Sequence, residues 1–177
     1  MSGTILDLGC GDGNLAEVLD RGGRRPARFV GMDLIEERVA LARERVPWGE
    51  FVAGSADRVP LPEGSAEAVA ALLLLSSVPD SFLLRAILAE VTRVTQPGGR
   101  FVVYDLRYPS PRNRKVHPLD LRQLSERLPG WSIRTETLTL LPPLARGPLG
   151  ATARRYRAFS SIPFLRSHLG IVATAPA

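Results

Sequence analysis

At 177 residues, 45% hydrophobic and 23% charged, the chain has the length and composition of one globular domain with its own core, which excludes disordered and fibrous classes. A single cysteine, Cys10, excludes an internal disulfide and a thiolate metal cluster. The net charge of +5 rests on arginine, Lys115 being the one lysine; clusters at Arg24-Arg25, Arg112 to Lys115 and Arg154 to Arg157 would attract anions and equally suit solvated faces.

Met1-Ser2-Gly3-Thr4 carry none of the regions of an export leader, so a cytoplasmic protein is expected. Thr4 to Leu8 reads as a first strand, closed by the glycine-rich Gly9 to Gly13. Asn14 with Glu17 has the capping-box spacing and opens a helix whose apolar stripe is Leu15, Val18 and Leu19. Arg28 to Met32 is a second strand. Asp33 with Glu36 repeats the capping-box spacing before a helix striped by Val39, Leu41 and Val46. Glu50 to Ala53 is a short third strand and Ala68 to Leu75 a fourth. The apolar run Val69 to Leu75 is far below the ~20 residues that span a bilayer, so it reads as a buried strand rather than a membrane segment.

A helix over Ser81 to Val94 turns Leu84, Ile87, Leu88, Val91 and Val94 toward the sheet and stops at Gln96-Pro97-Gly98-Gly99, after which Arg100 to Asp105 forms the fifth strand. Beyond Asp105 come a loop, a helix over Leu119 to Leu128, the alternating "WSIRTETLTL" suited to an edge strand, the Pro-rich "LPPLARGP" and an apolar end, "HLGIVATA". Continuous apolar strands alternating with helices predict an α/β fold with both sheet faces covered, as a single domain over residues 1–177.

The chemistry concentrates in "LDLGCGDGN", residues 6 to 14. A glycine turn between the first strand and the first helix lies at the carboxyl edge of the sheet, where α/β folds bind ligands, and glycine permits positive φ and close approach to a ligand. The spacing does not match a dinucleotide fingerprint begun at the strand end, and the Gly-Lys-Ser/Thr of a Walker loop is absent. Asp7 would repel a pyrophosphate and favour a cation, so the expected ligand carries positive charge. Asp33 ends the second strand about 20 residues beyond the loop, where a carboxylate accepts ribose hydroxyls; capping the next helix is the competing role. Leu34 beside it suits an adenine face.

D-x-G-x-G-x-G followed by an acidic end to strand two resembles the class I S-adenosylmethionine-dependent methyltransferases. The segments "GSADRVPLPEGSAEAV", "LLLLSSVPD" and "EVTRVTQPGGRFVVYD" extend the resemblance over nearly the whole chain, and the tail is similar to a bacterial small-molecule methyltransferase-like subgroup. The resemblance implies a Rossmann-like, doubly wound, seven-stranded sheet of order 3-2-1-4-5-7-6, mostly parallel with an antiparallel last strand, and lacking the family's amino-terminal helices. It implies S-adenosyl-L-methionine as cofactor and a small-molecule acceptor, with no metal and no membrane. The loop Gly9, Cys10, Gly11 and Gly13 would lie under the methionine and ribose portions, Asp7 near the charged groups and Asp33 at the ribose, with Leu72 in strand four completing the set. Ser55 stands where the family commonly has an acid for the adenine amino group; Ala56 and Asp57 follow it, and Asp57 is the candidate substitute. Further departures are Ala66-Glu67 in place of Phe-Asp, and Ser76-Ser77 in place of His-His. With only a few residues before the first strand, three expectations stand: an unusually exposed cofactor, cover by a partner chain such as the second copy of a homodimer, or a sequence that lacks its natural beginning.

Methyl transfer from a sulfonium needs alignment more than a protein nucleophile, and proximity alone supplies roughly 7 to 11 kcal/mol. A general base would serve a hydroxyl acceptor. Asp105, Tyr104 and His117 are the candidates by position; a strand-end carboxylate, a packing ring and a solvent-facing loop histidine are their structural alternatives. Two competing functions stand beside this one. A nucleic-acid methyltransferase suits the charge but lacks the Asn/Asp-Pro-Pro-aromatic clamp after strand four, and a non-catalytic cofactor-binding module suits the missing cover.

Overall fold

A computed structural model of the chain describes residues 3–78, 80–109, 117–140, 164 and 166–177. The Pro-rich stretch 141–148, Arg112 to Lys115 and Arg154 to Arg157 lie outside the described residues.

Strand β1 (Thr4–Leu8) leads into helix α1 (Asn14–Arg21), β2 (Arg28–Asp33) into α2 (Glu36–Arg45), and β3 (Glu50–Ala53) runs through a loop to β4 (Ala66–Leu72). A short 3-10 turn (Leu75–Ser77) precedes α3 (Ser81–Val94), then β5 (Thr95–Leu106), α4 (Leu121–Arg127), β6 (Ser132–Leu140) and β7 (Arg166–Thr174). The strands form one sheet of order β3-β2-β1-β4-β5-β7-β6. The first five pair in parallel, and β7 runs antiparallel to both β5 and β6. This is the Rossmann-like α/β sheet that the resemblance implied.

Alternation along β1 divides the core. Ile5 turns to a cluster with Phe29, Val39 and Phe51 under α1 and α2, whereas Leu6 and Leu8 turn to a larger one with Leu88, Phe101 and Leu124 under α3 and α4. Strand Gly31 admits this packing: a Cβ there would come 2.6 Å from Phe51 and 3.0 Å from the Cys10 sulfur. At β5 the register jumps, with Ala66 opposite Thr95 and Ala68 opposite Arg100, so the residues Gln96 to Gly99 form a bulge with Gly98 at φ 70°.

Several local expectations are corrected. Neither capping box forms: Gly13 and Ile35 are the residues that cap α1 and α2, and neither helix receives a side-chain cap. Asn14 instead donates to Asp12 Oδ1 at 2.6 Å, and Glu36 pairs with Arg43. Val18 is 64% and Leu41 50% exposed, because at about 3.6 residues per turn they fall outside the arcs through Leu15, Ala16 and Leu19 and through Val39, Ala42 and Val46. The fourth strand ends at Leu72 rather than Leu75: Leu73 adopts φ 60° and donates its N–H to Tyr104 O at 2.7 Å, which carries the chain out of the sheet. The helix expected from Leu119 starts at Leu121, where the Asp120 carboxylate caps it by accepting from Arg122 N and Gln123 N.

Candidate functional site

The strand order reverses between β1 and β4, and the carboxyl ends of β1 to β4 converge there on a cleft of about 950 Å³. Its floor is Gly9 to Asp12. One wall is Met32 to Ile35 with Arg38 and Leu41 of α2, continued by Gly54 to Ala56 after β3. The opposite wall is Leu72 to Leu74, Ser77 and Val78, backed by Leu83 and Ile87 of α3.

Hydrogen bonds hold the floor in place. Gly9 N and Cys10 N both donate to Met32 O, at 2.8 and 3.0 Å. Gly11 N donates to Asp33 Oδ2 at 2.9 Å, and Ile35 N to Asp33 Oδ1 at 3.0 Å. One carboxylate thus ties the loop after β1 to the loop after β2, and its remaining lone pairs can still accept hydroxyl donors. Asp33 is 8% exposed and lines the cleft, and it tethers the loop rather than capping α2, whose cap residue is Ile35.

The three loop glycines answer to different needs. All have positive φ, at 72°, 54° and 85° for Gly9, Gly11 and Gly13. A Cβ on Gly9 would press on Leu74 at 3.1 Å, and one on Gly13 would meet Ala42 and Val46 of α2 at 3.3 Å. A Cβ on Gly11 would meet nothing within 4 Å and would occupy cleft space. Gly13 therefore serves helix packing and does not line the cleft. Arg45, at the end of α2, grips the same loop from behind through Asp12 O at 3.1 Å and through the carboxylates of Asp12 and Glu17.

Asp7 is the exceptional group. It is 2% exposed, faces the cleft, and accepts no hydrogen bond from any described residue. Burial first, and the Asp33 charge second, push its pKa up to about 8. Burial thus favours the uncharged acid in the free protein, and a cation arriving beside it would favour ionisation. Cys10 lines the cleft beside the loop, but burial, with Asp7 and then Asp33 adding to it, pushes its thiol up to about 12, which leaves no thiolate nucleophile.

Leu34, Ser55, Ala56 and Leu72 line the cleft. Asp57 does not, and its Oδ1 is buried without a partner. The wall at 55–61 is held by two α3 residues that sequence reading missed. Glu90 accepts from Val59 N at 2.7 Å, while Arg93 donates to Glu90, to Leu61 O at 2.9 Å and to Val59 O at 3.0 Å. Arg38 was missed as well, although its place five residues after Asp33 puts it in the first turn of α2, on the cleft wall.

None of the three candidate bases lines the cleft. Asp105 is fully buried, and its carboxylate is taken by Ser76 N at 3.0 Å and its neighbour Leu106 N at 2.8 Å. Tyr104 stacks on His168 at 4.6 Å between ring centroids and shares its hydroxyl with Thr139 at 2.6 Å. His117 lines a separate, smaller cavity, and its backbone N–H donates to Ser76 O. The physical reason is alternation: Tyr104 and Asp105 leave opposite faces of β5, the second into the core. Among the described residues no group of three or more His, Cys, Asp or Glu could hold a metal ion, and no helix is long and apolar enough to cross a membrane.

The family described as "Methyltransferase domain" matches residues 6–103, from β1 through most of β5, which is more than half the chain. The chain belongs to the methyltransferase-domain family. The methyltransferase domain is 35% identical over 131 residues to the phthiotriol/phenolphthiotriol dimycocerosates methyltransferase of Mycobacterium tuberculosis, covering 70% of this chain and 46% of that protein. Its identity to the fatty-acid O-methyltransferase of Mycolicibacterium smegmatis is also 35% over 131 residues, covering 70% of this chain and 45% of the relative. The chain thus spans about half the length of these curated relatives. Among solved structures, an S-adenosylmethionine-dependent methyltransferase from Mesorhizobium loti superposes with a TM-score of 0.73 at 20% identity, over 98% of this chain and 91% of that one, which supports the fold. The matched region contains the cleft floor, Asp7, Asp33 and the clasp from α3, and stops short of Tyr104, Asp105 and His117.

Proposed function

We propose that the cleft binds S-adenosyl-L-methionine and that the domain methylates an apolar small molecule. The observation that carries this reading is Asp7, a buried carboxyl facing the cleft with no donor among the described residues, beside a glycine floor and the Asp33 carboxylate. The residues fit the cofactor. A volume of about 950 Å³ lies within the range of small-molecule sites. Asp33 retains acceptor capacity for two ribose hydroxyls, Leu34 offers an exposed apolar face for a base, and Asp7 answers a cationic group. The open space over Gly11 lets a ligand approach the backbone.

Bound there, the cofactor supplies an electrophilic methyl group on sulfur. The chain's part is to bind, orient and exclude water. The wall opposite Asp33 has Ser77 as its one polar side chain among Leu72 to Leu74, Val78, Leu83 and Ile87, with no carboxylate or imidazole. The domain thus offers an apolar seat rather than a base, and rate is gained through alignment. That wall, with relatives named for a fatty acid and for phthiotriol/phenolphthiotriol dimycocerosates, supports an apolar acceptor. In this reading the protein works in the cytoplasm, with cell fractionation as the check on location and sedimentation analysis as the check on a homodimeric state.

Calorimetric titration with S-adenosylmethionine and S-adenosylhomocysteine tests the proposal. Wild type binds both. Asp33→Ala weakens both by about 100-fold, since a hydrogen bond to a charged group contributes ~1.5–3 kcal/mol and the Gly11 tether is lost with it. Equal affinity in the two proteins overturns the assignment.

A further inference from the structure

Val78 lines the cleft and also a second cavity of about 200 Å³, enclosed by the 3-10 turn, α3 and the start of α4. The two spaces lie on adjacent sides of α3. Leu83 and Ile87 form one row of that helix, four residues apart, and face the cleft, while Leu84 and Leu88 form the adjacent row and face the cavity. Only apolar side chains, Val78 with Leu83, Leu84, Ile87 and Leu88, are shared by or stand between the acceptor wall of the cleft and the cavity among the described residues.

The cavity is polar at its mouth and apolar at its inner end. Ser81, His117, Asp120 and Gln123 are all exposed, whereas Leu75, Leu88 and Leu124 are 3%, 1% and 2% exposed. The one carboxylate at the mouth among the described residues is already committed: Asp120 accepts from Arg122 N at 2.9 Å, Gln123 N at 3.3 Å and Gln123 Nε2 at 2.9 Å. A buried water needs two to four polar partners, and the inner end offers none from a side chain. Val78 is the one described residue that lines both spaces, and passage beside a single side chain suits a chain better than a ring.

We propose that this cavity is a subsite for an aliphatic chain carried by the methyl acceptor, entered past Val78. The proposal rests on the reading of the cleft as a methyl-transfer site and extends it from a general apolar acceptor to one with a straight hydrocarbon arm. The acceptor's reacting end stays in the cleft and its arm lies against Leu84 and Leu88.

The test uses the protein saturated with S-adenosylhomocysteine and titrated with n-alkanols from hexanol to dodecanol, whose neutral head groups isolate the chain. Wild-type affinity rises roughly 4-fold per added methylene until the cavity is full. Leu84→Phe fills the cavity and removes the rise at the longer members, while Leu84→Ala extends it; both variants bind S-adenosylhomocysteine within about 2-fold of wild type, which shows that they fold. A chain-length slope that is absent in wild type, or the same in wild type and Leu84→Phe, overturns the proposal. Failure of S-adenosylhomocysteine to bind wild type overturns instead the reading of the cleft, so the two failures are distinguishable.

Discussion

Two aspartates end neighbouring regions of the same sheet edge and are almost equally buried, yet they do opposite work. Asp105, closing β5, spends both carboxylate oxygens on backbone amides, Ser76 N and Leu106 N, and fixes the turn after β4 to the sheet. Asp7, near the end of β1, spends neither on any described residue, and opens on a cleft. Burial of a polar group without a partner costs free energy that a fold accepts where a ligand later supplies the partner. The difference between the ends of β1 and β5 is thus one between a site held ready and a joint already closed, and it separates residues that receive a ligand from residues that merely share their edge.

The comparison breaks most visibly through pH. Folding raises the Asp7 pKa from 3.8 to about 8, so below about pH 4 both states are protonated and the group is neutral to stability. As pH rises toward 8 the unfolded chain ionises and the folded one does not, and stability falls by up to about 1.4 kcal/mol per pH unit. Asp7→Asn removes this loss, so the variant is the more stable protein at pH 8. His168, whose pKa burial lowers, acts in the opposite sense below about pH 6.5, and the difference between wild type and Asp7→Asn cancels it. Urea midpoints for both proteins at pH 5 and pH 8 measure the effect; parallel pH profiles would show that Asp7 is not the source.

At the closed joint, Asp105→Ala orphans two amides, one of them buried, and lowers the free energy of unfolding by about 2–3 kcal/mol, while S-adenosylhomocysteine affinity stays within about 3-fold. A collapse of affinity in a folded Asp105 variant would place that residue in the site and erase the contrast. A smaller effect separates two glycines. Gly11→Ala and Gly13→Ala both meet the cost of positive φ, about 1–2 kcal/mol, but only Gly13→Ala also presses on α2. Gly13→Ala is therefore the less stable by about 1 kcal/mol, and Gly11→Ala loses more ligand affinity; thermal melts and titrations of the pair check both orders. Smallest of all is Tyr104→Phe. It deletes an exposed hydroxyl contact with Thr139, costs under about 1 kcal/mol and leaves methyl transfer unchanged, as followed by label transfer from S-adenosylmethionine.

Much of this could be read from residues alone, for identifiable reasons. The bounds of β1 and β3 follow from glycine and proline punctuation, which is local chemistry, and Gly9-Cys10-Gly11 next to Asp7 announced the cleft floor because positive φ leaves few other residue choices. The end of β4 was hidden because Leu72 to Leu75 are all leucine, and the turn at Leu73 is set by a bond to Tyr104, 31 residues away in the chain. The clasp from Glu90 and Arg93 onto the 55–61 wall is equally non-local. Tyr104, Asp105 and His117 were placed at the correct edge by topology, but which face of β5 a side chain leaves, and how far β5 stands from the β1–β2 cleft, decide whether an edge residue reaches a ligand.

A crystal structure of the protein with S-adenosylhomocysteine tests the central claim most directly. The account predicts ribose hydroxyls about 3 Å from the Asp33 carboxylate, the ligand's ammonium group toward Asp7, and the nucleoside passing over Gly11. A ligand lodged instead against Tyr104 and His168, or one that leaves Asp7 without a donor, would contradict it.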